Sequence, residues 1–253
     1  MAFETDRRPL SSGYDATLGR ADTATIDVGL RQYMLRVYNY MASGLFLSGL
    51  VALLVANTSL QSLFFSVNEA GRVGYNGLGL VAVIAPIGLI FGMQYAANRG
   101  KIAGLQMMYW AFVALMGVGL SVVLMTYTGV SVTRVFFITA ASFGALSLYG
   151  YTTKRNLSAF GAFLFMGLIG LLIASVVQIF LQSAMMQFII SIVGVLIFAG
   201  LTAHNTQTIK NQYLSIRGSS MEGTTAVMGA VTLYLDFINL FQFLMMLMGQ
   251  RRN

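Results

Sequence analysis

Any chemistry in this chain has to turn on Asp236. From residue 70 to residue 221 there is neither an Asp nor a Glu, and Asp236 then stands ten residues beyond Ala226 in an otherwise apolar segment. At the helical rise, ten residues are about 15 Å, roughly mid-bilayer for a spanning helix. A carboxylate at that depth costs about 2.5–3.5 kcal/mol on insertion scales, so it must face protein or water. Thr232, Asp236, Asn239 and Gln242 recur at spacings of four and three, which places them on one helix face. The stripe predicts a last helix turned into the protein. Asp236 is the candidate ion or proton site, and Thr232 and Asn239 are its polar neighbours. The alternative reading is polar glue between helices.

A second polar run, Thr202 to Lys210, ends the preceding apolar segment. Thr202, Asn205, Thr206 and Ile209 share a face there. By itself the run reads as a helix entering the headgroup region, with Lys210 snorkelling to the surface. His204 is the chain's single histidine, the residue type that can serve as a switch near neutral pH. Alone it reads as an interfacial residue, and its side chain projects about 100° from that of Asn205. Asn205 precedes Lys210 by only about 7.5 Å of helix, which would set it shallower than Asp236.

The elements that position these residues are membrane helices. The chain is 57% hydrophobic and 9% charged, where a soluble domain carries about 25% charged residues. Seven apolar windows of roughly spanning length lie near Tyr38–Ala56, Leu78–Ala97, Ile102–Met125, Val135–Tyr151, Ala159–Leu181, Met185–Ala203 and Ala226–Met248. They are apolar on nearly every side, which is the pattern of helices and not of alternating barrel strands. Residues 31–250 are thus a single seven-span, all-α polytopic membrane domain, and residues 1–30 a flexible polar tail. Arg31, Arg36, Arg99, Lys101, Lys154, Arg155, Lys210 and Arg217 fall on one side, against Arg72, Arg134, Arg251 and Arg252 on the other. That bias predicts a cytoplasmic N-terminus. A six-span arrangement with a re-entrant last segment would instead return Arg251 and Arg252 to the cytoplasm. Gly88 with Gly92, and Gly170 with Ala174, have the small-xxx-small spacing of close helix packing.

Several function classes are excluded. The absence of cysteine removes thiol nucleophiles, disulfides and cysteine-bound metals. One histidine cannot build a multi-histidine site. No cofactor is expected and no firm metal site; Asp236 offers at most a transient contact to a passing cation. The net charge of +7 is spread singly and in pairs between apolar segments. It therefore serves topology and lipid headgroups, not nucleic acid. The last span has no lysine for a Schiff base and no G-x-S-x-G occurs, so no enzyme is expected.

The run Leu233-Tyr234-Leu235-Asp236-Phe237-Ile238-Asn239-Leu240-Phe241 resembles the last-span signature of the Bax inhibitor family. Gly200-Leu201-Thr202-Ala203 followed by Asn205-Thr206-Gln207 is similar to its other signature, and Tyr149–Ser158 to the fourth-to-fifth-span linker of bacterial members. The resemblance covers about residues 30–249. It implies six helices around a central seventh, in a bacterial inner membrane protein that acts as a pH-sensitive calcium leak channel. It also implies two carboxylates, one on each of the last two spans, sharing a proton, and a basic latch for which Arg99 is the candidate. The chain departs from that pattern where the first carboxylate is expected: Asn205 stands there, preceded by His204. An amide can hydrogen-bond Asp236 but cannot hold or release a proton. Three expectations follow: cation passage with altered pH dependence, titration taken over by His204, or a membrane-embedded regulator or scaffold binding other membrane proteins, such as a quality-control protease.

Overall fold

A computed structural model describes the backbone of residues 11–67 and 73–252, with side-chain surroundings from Val28 onward apart from residues 67–73. The first helix, α1, spans Ser11–Asn57, so helical backbone extends into the segment read from sequence as a tail. Residues 1–10 lie outside the described residues. A one-turn helix, α2 (Gln61–Phe64), leads into a small antiparallel hairpin of β1 (Phe65–Val67) and β2 (Val73–Tyr75), in which Phe65 pairs with Tyr75. Arg72, counted above among the basic residues of that side, also lies outside the described residues. Five long helices follow as α3 (Gly77–Asn98), α4 (Ile102–Thr126), α5 (Gly129–Thr152), α6 (Ser158–Leu181) and α7 (Ala184–Ile216), and α8 (Glu222–Met248) closes the fold. The segment from Val28 in α1 and the six helices α3 to α8 are each long and apolar enough to cross a membrane. The architecture is therefore an all-α, seven-span polytopic membrane fold.

Two elements are longer than their hydropathy suggests. Polar residues at positions 131, 133 and 134 hide the start of α5. The helix nonetheless begins at Gly129, where the Thr128 hydroxyl caps it by accepting from the Ser131 backbone N–H at 3.4 Å, as N-cap threonines do. Arg134 therefore sits a turn inside α5, not in a loop. The run from His204 to Lys210 likewise continues α7 to Ile216, making a helix of 33 residues, about 50 Å long.

The last helix organises the core. Just over half of its apolar span is buried, 56%, against 11% for α6. It packs against α1, α3, α4, α5 and α7, whereas α6 packs on α7 and makes no substantial contact with α8. The expected ring of six is thus not confirmed: five helices surround α8, and α6 is a satellite of α7. Tyr234 anchors the α1–α4–α8 contact, with its ring edge-on to Phe112 at 5.5 Å. Its hydroxyl meets Ser48 Oγ at 2.7 Å, and Ser48 in turn donates to the Val113 carbonyl at 2.6 Å. Phe237 packs edge-on to Phe136 and Phe143 of α5.

The chain's end shows that the last segment crosses fully and is not re-entrant. Arg252 donates its N–H to Thr126 and Thr128 donates to Gln250, at 2.9 and 3.0 Å, stitching the residues after α8 onto the α4–α5 turn. That turn lies at the opposite end of the bundle from the α5–α6 linker and the start of α8.

The small-xxx-small pairs do not carry the tightest packing inside this fold. A methyl group on Gly88 or Gly170 would meet open space. A close approach of two spanning helices is instead at Gly150 of α5, where an added Cβ would strike the Ala203 backbone of α7. Gly150→Ala is expected to cost about 1–3 kcal/mol by overpacking, read as a lowered unfolding midpoint in detergent. Gly144→Ala, on the same helix with nothing within 4 Å of the new methyl, should be neutral or slightly stabilising.

Candidate functional site

Asp236 is buried at 4% exposure on α8, twelve residues from the helix's last residue and fourteen from its first, so near mid-membrane. Its Oδ2 accepts a hydrogen bond of 2.8 Å from Asn205 Nδ2 of α7. This bond joins the two polar features of the sequence across the α7–α8 contact. It also corrects the depth expected for Asn205. Because α7 runs more than three turns beyond the apolar window, to Ile216, Asn205 is level with Asp236 and not shallower.

The rest of the polar stripe behaves differently. Thr232 and Asn239 are half-buried, and each bonds a carbonyl one turn back on its own helix: Thr232 Oγ1 to Met228 at 3.2 Å, and Asn239 Nδ2 to Leu235 at 2.8 Å. They flank Asp236 along the less covered side of α8 without bonding it. Such back-bonding satisfies a hydroxyl or amide without a partner helix.

His204 faces away from Asp236, as the helical angle requires. Its Nδ1 lies 3.2 Å from the Leu157 carbonyl, so that nitrogen carries the proton, and the ring occupies the space left by the missing side chain of Gly161. Gln207 works on the same linker. Its Oε1 accepts from the Leu157 N–H and its Nε2 donates to the Arg155 carbonyl, both at 2.8 Å. Lys210 does not snorkel: its Nζ donates to the Tyr151 carbonyl at 2.7 Å and lies 5.3 Å from the Tyr151 ring centroid. His204, Gln207 and Lys210, three residues apart, thus form a clamp that holds the α5–α6 connection on α7. That spacing was the available sequence signal. Arg99 caps the end of α3 with its guanidinium 4.3 Å above the Tyr95 ring of its own helix, and it is not brought to Asp236.

A further set of hydroxyls escapes sequence reading because its members come from three helices. Thr206 Oγ1 donates to the Thr202 carbonyl, so Ser147 Oγ donates to Thr206 at 2.9 Å and Tyr38 donates to Ser147 at 2.6 Å. The relay ties α1 and α5 to α7 one residue from Asn205. Among the described residues, no group of three His, Asp or Glu side chains converges; the centre offers one carboxylate and neutral oxygens.

These features define a multi-pass α-helical membrane protein whose last two helices meet through a buried carboxylate–amide pair. The chain belongs to the Bax inhibitor family: the family model described as "Inhibitor of apoptosis-promoting Bax1" matches residues 30–253. It is 43% identical to an uncharacterized protein of Caulobacter vibrioides over 235 residues, covering 92% of this chain and 94% of that one. An uncharacterized Rickettsia prowazekii protein is 41% identical over 90% of this chain and 94% of its own length. The inner membrane protein YbhL of Escherichia coli is 40% identical over 88% of this chain and 94% of its own.

The clamp gives a direct test. Gln207→Ala leaves the Leu157 N–H and the Arg155 carbonyl, both on a partly exposed linker, without their partner, a loss of about 0.5–1.5 kcal/mol per hydrogen bond. Trypsin should then cut the linker at the exposed Lys154–Arg155 pair roughly tenfold faster than in the parent chain, by the same loss of local stability. Equal cleavage rates would show that Gln207 does not restrain the linker.

Proposed function

We propose that the Asn205–Asp236 pair is the centre of a cation pathway, and that the protein works as a pH-modulated leak of the calcium type and not as an enzyme. The observation that carries this reading is the 2.8 Å bond between Asn205 and a carboxyl group buried at mid-span. A carboxylate is a costly choice where glue alone is needed, and family membership supports the same reading. Thr232 and Asn239, on the less covered side of α8, supply neutral oxygens along the approach. With Asn205 in place of a second carboxylate, the centre carries at most one negative charge, so its attraction for a divalent cation is weaker than that of a two-carboxylate site. His204, engaged with the linker, is assigned to holding α6 and not to titrating the pathway. The bias of Lys and Arg toward the end holding Arg31 and Lys154 supports a cytoplasmic N-terminus.

The bond also favours a second reading. An amide that already satisfies the carboxylate makes a closed pair, as suits a non-transporting protein that binds other membrane proteins, a quality-control protease among them.

Calcium and monovalent cation flux into vesicles carrying the purified protein, followed across a pH range, separates the two. Flux above that of empty vesicles is expected from the parent chain and its loss from Asp236→Asn. If both are equally silent, the channel reading fails, and co-purification of a partner that survives Asp236→Asn in mild detergent supports the second. Asn205→Asp provides an independent check. Two carboxylates at this separation cannot both be charged cheaply, so they share a proton, and the variant's flux should depend more steeply on pH than the parent's. An unchanged pH profile would argue that position 205 does not face the pathway.

A further inference from the structure

The helices α1 and α5 both pack on the core yet make no substantial contact with each other, and the Tyr38–Ser147 hydrogen bond spans the seam between them. Toward the end of the bundle that carries Arg31, the seam opens into a cavity of about 570 Å³ bounded by Arg31, Tyr38, Met41, Phe143, Gly144 and Tyr151 among others. Gly144 is exposed and open at its Cβ, so no tight helix crossing closes the seam there.

Three properties of this cavity select its occupant. Its depth, from Arg31 to Met41 along α1, is about 15 Å, half of the roughly 30 Å hydrocarbon core and so the depth of one leaflet. Spread over that depth, its volume gives a passage about 7 Å across, narrower than the 10–12 Å of a helix with its side chains and suited to extended alkyl chain. Its mouth is basic: Arg31 lines it. Below the mouth the walls are apolar apart from the Tyr38 and Ser147 hydroxyls, which are bonded to each other.

We propose that this seam is a binding site for one anionic phospholipid. The phosphate is held at the mouth by Arg31, and an acyl chain runs past Gly144 to Met41 and Phe143. The lipid takes the place of the missing α1–α5 contact. It lies against the hydroxyl relay that passes from Tyr38 through Ser147 to Thr206, the residue next to Asn205.

The test uses the full chain reconstituted in vesicles of equal parts phosphatidylglycerol and phosphatidylcholine, extracted in mild detergent and weighed by native mass spectrometry. The parent protein should retain one phosphatidylglycerol, preferred over phosphatidylcholine by about fivefold, the preference one basic residue confers near a membrane surface. Arg31→Gln, at an exposed position, should keep a bound lipid but lose most of that preference. Gly144→Leu fills the cavity from its open side and should remove the adduct, whereas Gly144→Ala should keep it. The proposal is overturned if the parent retains both lipids equally. It is overturned as well if monodisperse Gly144→Leu carries the same adduct as the parent, or if Arg31→Gln keeps the full preference.

Discussion

A carboxyl group at bilayer depth constrains everything packed around it. Lipid can neither hydrate it nor donate to it, so the helix that carries it has to be shielded and has to find a donor. Both requirements are met in one place. Five helices enclose α8, which leaves Asp236 buried at 4% exposure, and Asn205 supplies the donor from α7. Much of the remaining architecture serves that arrangement. The Tyr234–Ser48–Val113 chain holds α8 against α1 and α4, and the Tyr38–Ser147–Thr206 relay holds α7 against α1 and α5 close to Asn205. Buried polar links of this kind set register and rotation, where apolar packing alone leaves helices free to slide or turn.

The polar residues near the α7 end divide between two tasks according to helix face. Asn205 turns inward to Asp236 and Thr206 to Ser147, while His204, Gln207 and Lys210 turn to the α5–α6 linker. The second group explains how α6, with no substantial contact to α8, keeps its place. It is tethered through α7 and through its own N-terminal connection. Movement of α6 would therefore load the clamp first and reach Asn205 through one helix.

Much of this was legible in the residues themselves. The span number followed from apolar length, and the enclosed position of the last helix followed from the carboxyl group on it, although of its polar stripe only Asp236 is buried and Thr232 and Asn239 lie on the less covered side. Asn205 was legible as its partner only through the family signature, since hydropathy alone set it too shallow. The error had a physical source. Hydropathy reports where a helix leaves lipid, not where it ends, and α7 continues as helix to Ile216 with Ile209 and Tyr213 buried against the protein and Asn211, Gln212, Leu214 and Ser215 exposed. The same limit hid the first turn of α5, whose polar residues are those of a capped helix start. The hydroxyl relay and the clamp could not be read at all, because their partners are 47 to 109 residues apart in sequence and meet only when three helices converge. The ring of six was an expectation of resemblance, and it is not confirmed, because α6 packs on α7 and makes no substantial contact with α8.

The account rests on Asn205 and Asp236 acting as one unit, and a double-mutant cycle measures that directly. Unfolding free energies in a fixed detergent would be taken for the parent, Asn205→Ala, Asp236→Ala and the double variant. A direct buried bond predicts a coupling of about 1 kcal/mol or more between the two positions. Additive losses, with no coupling beyond error, would mean that the pair does not hold α7 to α8 and would contradict the account at its centre.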